Sequence, residues 1–194
     1  MKTALIIIGS LLSIVAIAQV VVTKSTNDTE THRYKVLKTI DDVEIREYEK
    51  AIFTSVDLNS DSYKEVSRKG FRVLAGYIFG GNEENEKIAM TSPVSMRIDE
   101  TSEMRFMVPS NLKLKDLPKP NDKSIEFIEE KEKTMAAIEF SGWANDEKIE
   151  FYKQELIKIL EINNISHKGN FSYLGYNPPY EVVNRRNEVV VELK

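Results

Sequence analysis

Apolar and polar residues alternate in VEIREYE, Val43 to Glu49, and again in AIFTSVDL, Ala51 to Leu58. A period of two is the signature of half-buried strands. The period then lengthens. Tyr63, Val66, Phe71, Leu74, Tyr77 and Ile78 fall on one helical stripe, with Ser60 or Asp61 placed to cap its start and Gly80-Gly81 to end it. Val94 to Ile98 and Met104 to Val108 return to strand character, and LKDLPKPNDKS marks a break near residues 112 to 124. The order then recurs. Strands are predicted at Ile125 to Glu129 and Thr134 to Phe140, a helix capped by Asn145 or Asp146 runs to about Leu160, and strands follow at Phe171 to Tyr176 and Glu188 to Leu193. Each helix is followed by a proline-bearing stretch, MTSPVSM in one half and YNPPYEV in the other. The pattern predicts an α+β domain built from a duplicated strand-helix-strand-strand unit. Two such units can lay their sheets together into one curved or barrel-like sheet with both helices outside. A groove between sheet and helices, or between the halves, is where a ligand is expected.

The first residues follow another rule. Ala4 to Val22 is uncharged, led by Lys2, and close in length to the roughly 20 residues a helix needs to cross a bilayer. It reads as a secretory signal peptide with a small-x-small site at Ala16-Ile17-Ala18, or as an uncleaved membrane anchor. Val20-Val21-Val22 carries the apolar run past the cleavage point, which favours the anchor. Either reading puts the domain on the extracytoplasmic side, membrane-anchored or secreted. KSTNDTETH, Lys24 to His32, is polar and aperiodic. The expected organisation is a targeting segment at 1–23, a linker at 24–33 and one domain at 34–194.

Composition narrows the chemistry. The 194 residues carry 27 basic and 31 acidic side chains, a net charge of −4, and no basic block of the kind that neutralises phosphates, so nucleic acid is not an expected partner. The chain has no Cys, which removes disulfides, thiolate nucleophiles and sulfur-bound metal centres. It also lacks GxSxG, HExxH and a phosphate-cradling glycine loop. A binding protein fits better than an enzyme, and no metal ligand set is singled out.

Six ordered motifs sharpen this: VEIREY, GFRVLAGYIFGGN, KIAMTSPV, MRFMVP, FSGWA, and YNPPY with RRNEV. Together they resemble the SOUL haem-binding proteins over about Tyr34 to Lys194. The resemblance implies a distorted antiparallel β-barrel with two helices, similar in fold to bacterial effector-binding domains. It also implies haem or a related tetrapyrrole as the ligand. Some members have a histidine, proposed as an axial ligand, just after the E-x-R of VEIREY; here that position is Glu47. Binding through a hydrophobic cleft is therefore expected, for transport, buffering or sequestration. The alternative is a sensor or scaffold domain for another amphipathic molecule or a protein partner.

A haem site needs an apolar slot and partners for two carboxylates. Met90, Met96, Met104 and Phe106 are the candidates for the slot, Arg46 and Arg185 for the carboxylates, and Tyr176 for stacking, with Arg186, Tyr180 and Trp143 beside them. Each has a plain alternative. Methionines fill cores, the arginines can pair with Glu44, Glu47 or Glu188, and aromatics beside Pro178-Pro179 can brace a turn. His32 and His167 lie outside the motifs and read as solvated surface.

Overall fold

In a computed structural model, residues 17–58, 62–98 and 102–194 are described. Helix α1 covers 17–28. Then follow β1 (Tyr34–Ile40), β2 (Val43–Tyr48), β3 (Ala51–Leu58), α2 (Tyr63–Ile78), β4 (Val94–Arg97) and β5 (Ser102–Met107). The second half holds β6 (Ile125–Glu130), β7 (Lys133–Ser141), α3 (Asp146–Ile162), β8 (His167–Gly175) and β9 (Arg186–Leu193). Among the described residues no helix is long and apolar enough to cross a membrane. Most of the targeting segment expected at 1–23, and the expected caps Ser60 and Asp61, lie outside the described residues.

All strand pairs are antiparallel, in the order β1-β2-β7-β9-β8-β4-β5-β3-β6. Exchanging β2, β3, β4 and β5 for β6, β7, β8 and β9 maps this list onto itself, apart from the added edge strand β1. The predicted duplication is therefore a property of the pairing, with a pseudo-twofold axis between β4 and β8. α2 packs over β3 and β5, and α3 over β7 and β9, as the same symmetry requires.

The order also forces curvature. β2 and β3 stand six positions apart in the sheet, which is roughly 29 Å on the flat at ordinary strand spacing. Only Glu49-Lys50 joins them, and Tyr48 to Ala51 can span at most about 11 Å. Lys131-Glu132 imposes the same limit between β6 and β7. The sheet must curl until its ends approach. The expected barrel is not closed, however: β1 and β6 do not pair with each other, so the architecture is an open curled sheet.

Cross-strand partners share a face, and one row shows what the helices cover. Val43, Ile138, Val189, Tyr173, Met96, Met104, Val56 and Ile125 are successive partners across eight strands, and all are buried. α2 adds Val66, Leu74, Tyr77 and Ile78, while α3 adds Ile149, Leu156 and Leu160. Phe71, expected on the buried stripe of α2, is 40% exposed, with its ring tilted against that of Phe106 at 5.4 Å. Asn145 caps α3 as predicted, accepting from the Lys148 N–H at 2.8 Å. Asp146 does something the sequence did not reveal: its carboxylate accepts from the Tyr63 N–H at 2.7 Å and so closes the first turn of α2, in the other repeat.

Two segments differ from expectation. β1 is a strand the alternation missed, because it lies at a sheet edge with Val36 and Leu37 exposed and a bulge between Val36 and Lys38. Residues 24–33, expected as a linker, are tied to the domain. The Ser92 N–H donates to the Glu30 carbonyl at 2.9 Å, the His32 N–H to the Ser92 carbonyl at 3.2 Å, and the Ser110 N–H to the Glu30 carboxylate at 3.0 Å.

Gly70 sets the approach of α2 to the sheet. A Cβ there would lie 2.7 Å from Leu58 Cδ1 and 2.8 Å from Met104 Cβ. Gly70→Ala should lower stability by about 1–3 kcal/mol through overpacking, despite alanine's better helix propensity. Urea denaturation of the variant beside the parent checks this.

Candidate ligand-binding site

On the face away from the helices the same strands present the alternate positions. Glu139, Glu188, Leu174, Ser95, Arg105, Ser55 and Glu126 form one cross-strand row there. A second, smaller apolar cluster of Tyr48, Met135, Ala137, Leu174 and Val190 lies on this face, edged by Tyr34 and Tyr176. Tyr48, Met135, Leu174 and Val190 floor a shallow, open groove whose sheltered volume is about 50 Å³, well below the roughly 300–1,000 Å³ typical of closed small-molecule sites. Phe53, Arg105 and Glu130 come from one end of the curled sheet, Tyr48, Lys133 and Met135 from the other. The groove therefore exists because the sheet ends meet.

His32 forms part of this wall and is the residue the sequence least prepared for. Its ring lies 4.9 Å from that of Tyr48 and 5.5 Å from that of Phe53. Nε2 is 2.7 Å from the Glu49 carbonyl, which only accepts, so in the neutral ring Nε2 carries the proton and Nδ1 keeps its lone pair. Burial disfavours the imidazolium and lowers the pKa below the ordinary 6.5. The only signal in the sequence was position, two residues before β1; polarity alone suggested a solvated linker.

The groove's cations are already partnered. Arg105 pairs with Glu103 at 2.6 Å and Glu130 at 2.7 Å, and Lys133 also pairs with Glu130. Glu103 is buried; burial alone would raise its carboxyl, but Arg105, Ser55 and Arg97 hold it below its usual range. At the other end lies a network around Glu188, which is fully buried. Glu188 accepts from Arg46 at 2.8 Å, from the Tyr176 hydroxyl at 2.9 Å and from Arg186 Nε at 3.0 Å. Burial alone would lower the Arg46 pKa, yet Glu188 holds it raised. Burial, reinforced by Glu188, raises the Tyr48 and Tyr176 hydroxyls; Tyr176 donates to Glu188, while the Tyr48 oxygen accepts from Arg46 at 3.1 Å.

The structure divides the residues predicted from sequence between two faces. Met96, Met104 and Phe106 are buried in the core on the helix side, and Met90 packs at its border. Arg46 and Tyr176 belong to the Glu188 network, with Arg46 also 4.3 Å from the Tyr34 ring centroid. Arg185 stands apart: it donates to the carbonyls of Asn177, Pro178 and Glu181 and lies over the Trp143 ring at 4.2 Å. These seven residues do not converge on one cavity. His167, expected in a polar turn, begins β8 and packs against Phe171 in the helix-side core. The true groove wall drew no notice because Ser95, Arg105, Lys133 and Ser172 look like an ordinary solvent-facing register.

Two outcomes test this geometry. Glu188→Ala removes the buried carboxylate shared by Arg46 and Arg186, leaving them only the more exposed Glu44 and Glu139, and should cost about 3–5 kcal/mol, whereas Glu44→Ala, at a 36% exposed carboxylate paired with Arg46, should cost under about 1 kcal/mol; denaturation of both variants measures the contrast. His32 should titrate below 6.5 by NMR of its ring nitrogens. Since the unfolded chain takes up that proton more readily, the stability this residue contributes is lost as pH falls through 6.5 toward its lower native value.

The fold is shared with solved structures of low sequence identity. The EcmrR C-terminal domain matches with a TM-score of 0.60 at 11% identity, over 83% of this chain and 98% of that one. A conserved protein of Listeria innocua reaches 0.60 at 9% identity, over 78% and 92%. Among curated proteins, Heme-binding protein 2 of Homo sapiens is 31% identical over 156 residues, 75% of each chain. Heme-binding protein 1 of Xenopus laevis is 27% identical over 154 residues, 75% of this chain and 80% of its own. The family described as SOUL heme-binding protein matches residues 29–192. That span takes in all nine strands but for the last residue of β9, and both sheet-packing helices, and the chain belongs to the SOUL family.

Proposed function

We propose that this chain binds haem or a related tetrapyrrole, and that the ligand lies in the groove on the open face of the sheet. The observation that carries the placement is the apolar floor of Met135, Leu174 and Val190 between the aromatic walls Tyr48 and Phe53, next to two cations. A flat macrocycle would lie across the open mouth of this shallow groove, with one face on its apolar residues. Arg105 and Lys133 would meet its carboxylates by exchanging part of their pairing with Glu130, a rearrangement between like partners. His32 is the one imidazole beside the groove, with Nδ1 its unprotonated nitrogen. Bound haem would supply its own iron chemistry; the chain's part is to hold the ring, exclude water and neutralise its acids. The reading is of a binding protein, used for transport, buffering or sequestration, in keeping with the names of its curated relatives.

A second element concerns place. The uncharged run Ala4–Val22 supports a domain held at, or delivered across, a membrane, on its extracytoplasmic side.

The test is a hemin titration of the full chain in phosphatidylcholine nanodiscs, followed in the Soret region against protein-free discs. A saturable one-to-one change is expected, with Ser172→Phe, which fills the groove from its floor, weakening affinity at least about tenfold. Met104→Leu, a volume-conserving change in the other core, should leave affinity unchanged. Saturable binding untouched by Ser172→Phe would move the ligand out of the groove. The absence of saturation would replace the tetrapyrrole with another amphipathic ligand or a protein partner.

A further inference from the structure

α1 is docked through one face and bare on the rest. Gln19, Thr23 and Thr26 point toward the domain. The Gln19 side-chain amide donates to the Tyr180 carbonyl at 3.1 Å and accepts from the Val182 N–H at 3.0 Å. The Thr23 and Thr26 hydroxyls donate to the two oxygens of buried Glu181 at 2.8 and 2.7 Å. The exposed side chains change character along the helix: Ile17, Ala18, Val20 and Val21 come first, then Lys24, Ser25, Asn27 and Asp28. The apolar half continues the uncharged run from Ala4, and the polar half leads to the domain.

Gln19 lies inside the apolar run, one helical turn before its end. In lipid an unpaired amide or backbone group is costly. Here the one uncharged amide of the run and the loop's carbonyl and N–H satisfy each other. The loop that meets it shows the same character: Tyr180, Val182 and Val183 are 64%, 55% and 50% exposed. Trp143, 55% exposed, is joined to that loop through Arg185, which lies over its ring and binds the carbonyls of Pro178 and Glu181. Exposed aromatic rings and aliphatic side chains joined through one arginine are the residue types that favour the interfacial zone of a bilayer.

We infer that the 178–183 loop and Trp143 form a membrane-docking surface that rests in the lipid interface beside the apolar N-terminal segment. The domain would then be held against the bilayer at two points in a fixed orientation. This rests on the membrane reading above and extends it to a second, separate contact.

Trp143 is the chain's only tryptophan, so it reports directly. The full chain is reconstituted in phosphatidylcholine vesicles, with flotation scored first and Trp143 emission then compared between ordinary and brominated lipid. Flotation with about twofold quenching by bromolipid is expected, and quenching should disappear in the Val182→Asp/Val183→Asp variant while flotation persists. Flotation without quenching overturns the docking surface and leaves the membrane reading standing. Quenching that survives the double variant overturns the loop's role. A chain that does not float overturns both.

Discussion

Two connections of two residues each govern the molecule. Glu49-Lys50 and Lys131-Glu132 join strands that sit six places apart in the sheet. No flat arrangement satisfies them, so the sheet curls and brings β3 and β6 opposite β2 and β7. The groove on the open face follows. Phe53 and Glu130 meet Tyr48 and Lys133 because the chain has no slack to keep them apart. The duplicated unit supplies the symmetry, since each repeat lends one short connection and one helix. β1 falls outside the symmetry and extends one edge.

Strand parity then divides the labour. One set of positions carries aliphatic residues and methionines under α2 and α3; the other carries charge. A carboxylate as enclosed as Glu188 is tolerated because two guanidinium groups and a phenol complete its shell, and loss of either arginine would leave it a single cation in a dry setting. The groove lies between this cluster and the one around Glu103, on the short apolar strip that neither occupies.

Most of the fold was legible in the sequence and little of the groove was. Period-two and helical spacing located the strands and helices of both repeats, because burial on one face writes itself into residue order. β1 escaped, since an edge strand with Val36 and Leu37 in solvent has no buried face to announce it. The methionines drew attention by being concentrated around residues 90–107, yet register places Met96 opposite Met104 on the helix side. No count of methionines could show that. The groove's wall consists of positions whose polarity means "outward" in any single strand. Only the curl, a relation between distant strands, turns outward into enclosed. His32 belongs to the same lesson, because its value comes from Tyr48, Phe53 and Glu49 and not from its neighbours in sequence.

The short connections have a kinetic side as well. Many binding proteins admit a guest by swinging two lobes about a hinge. Here the two walls are continuations of the same strands, stitched together at both crossings, and cannot separate without unravelling the sheet. The stretch 29–33 completes one wall through His32 and is held by backbone hydrogen bonds to Ser92, by Glu30 to the Ser110 N–H, and by contacts of Arg33 and His32 with the Glu49 backbone. On the proposed reading, a guest would leave by side-chain rotation or by local opening of this stretch, not by a hinge. That stretch continues directly from α1, so the docking of α1 and one wall of the groove are parts of a single run of chain.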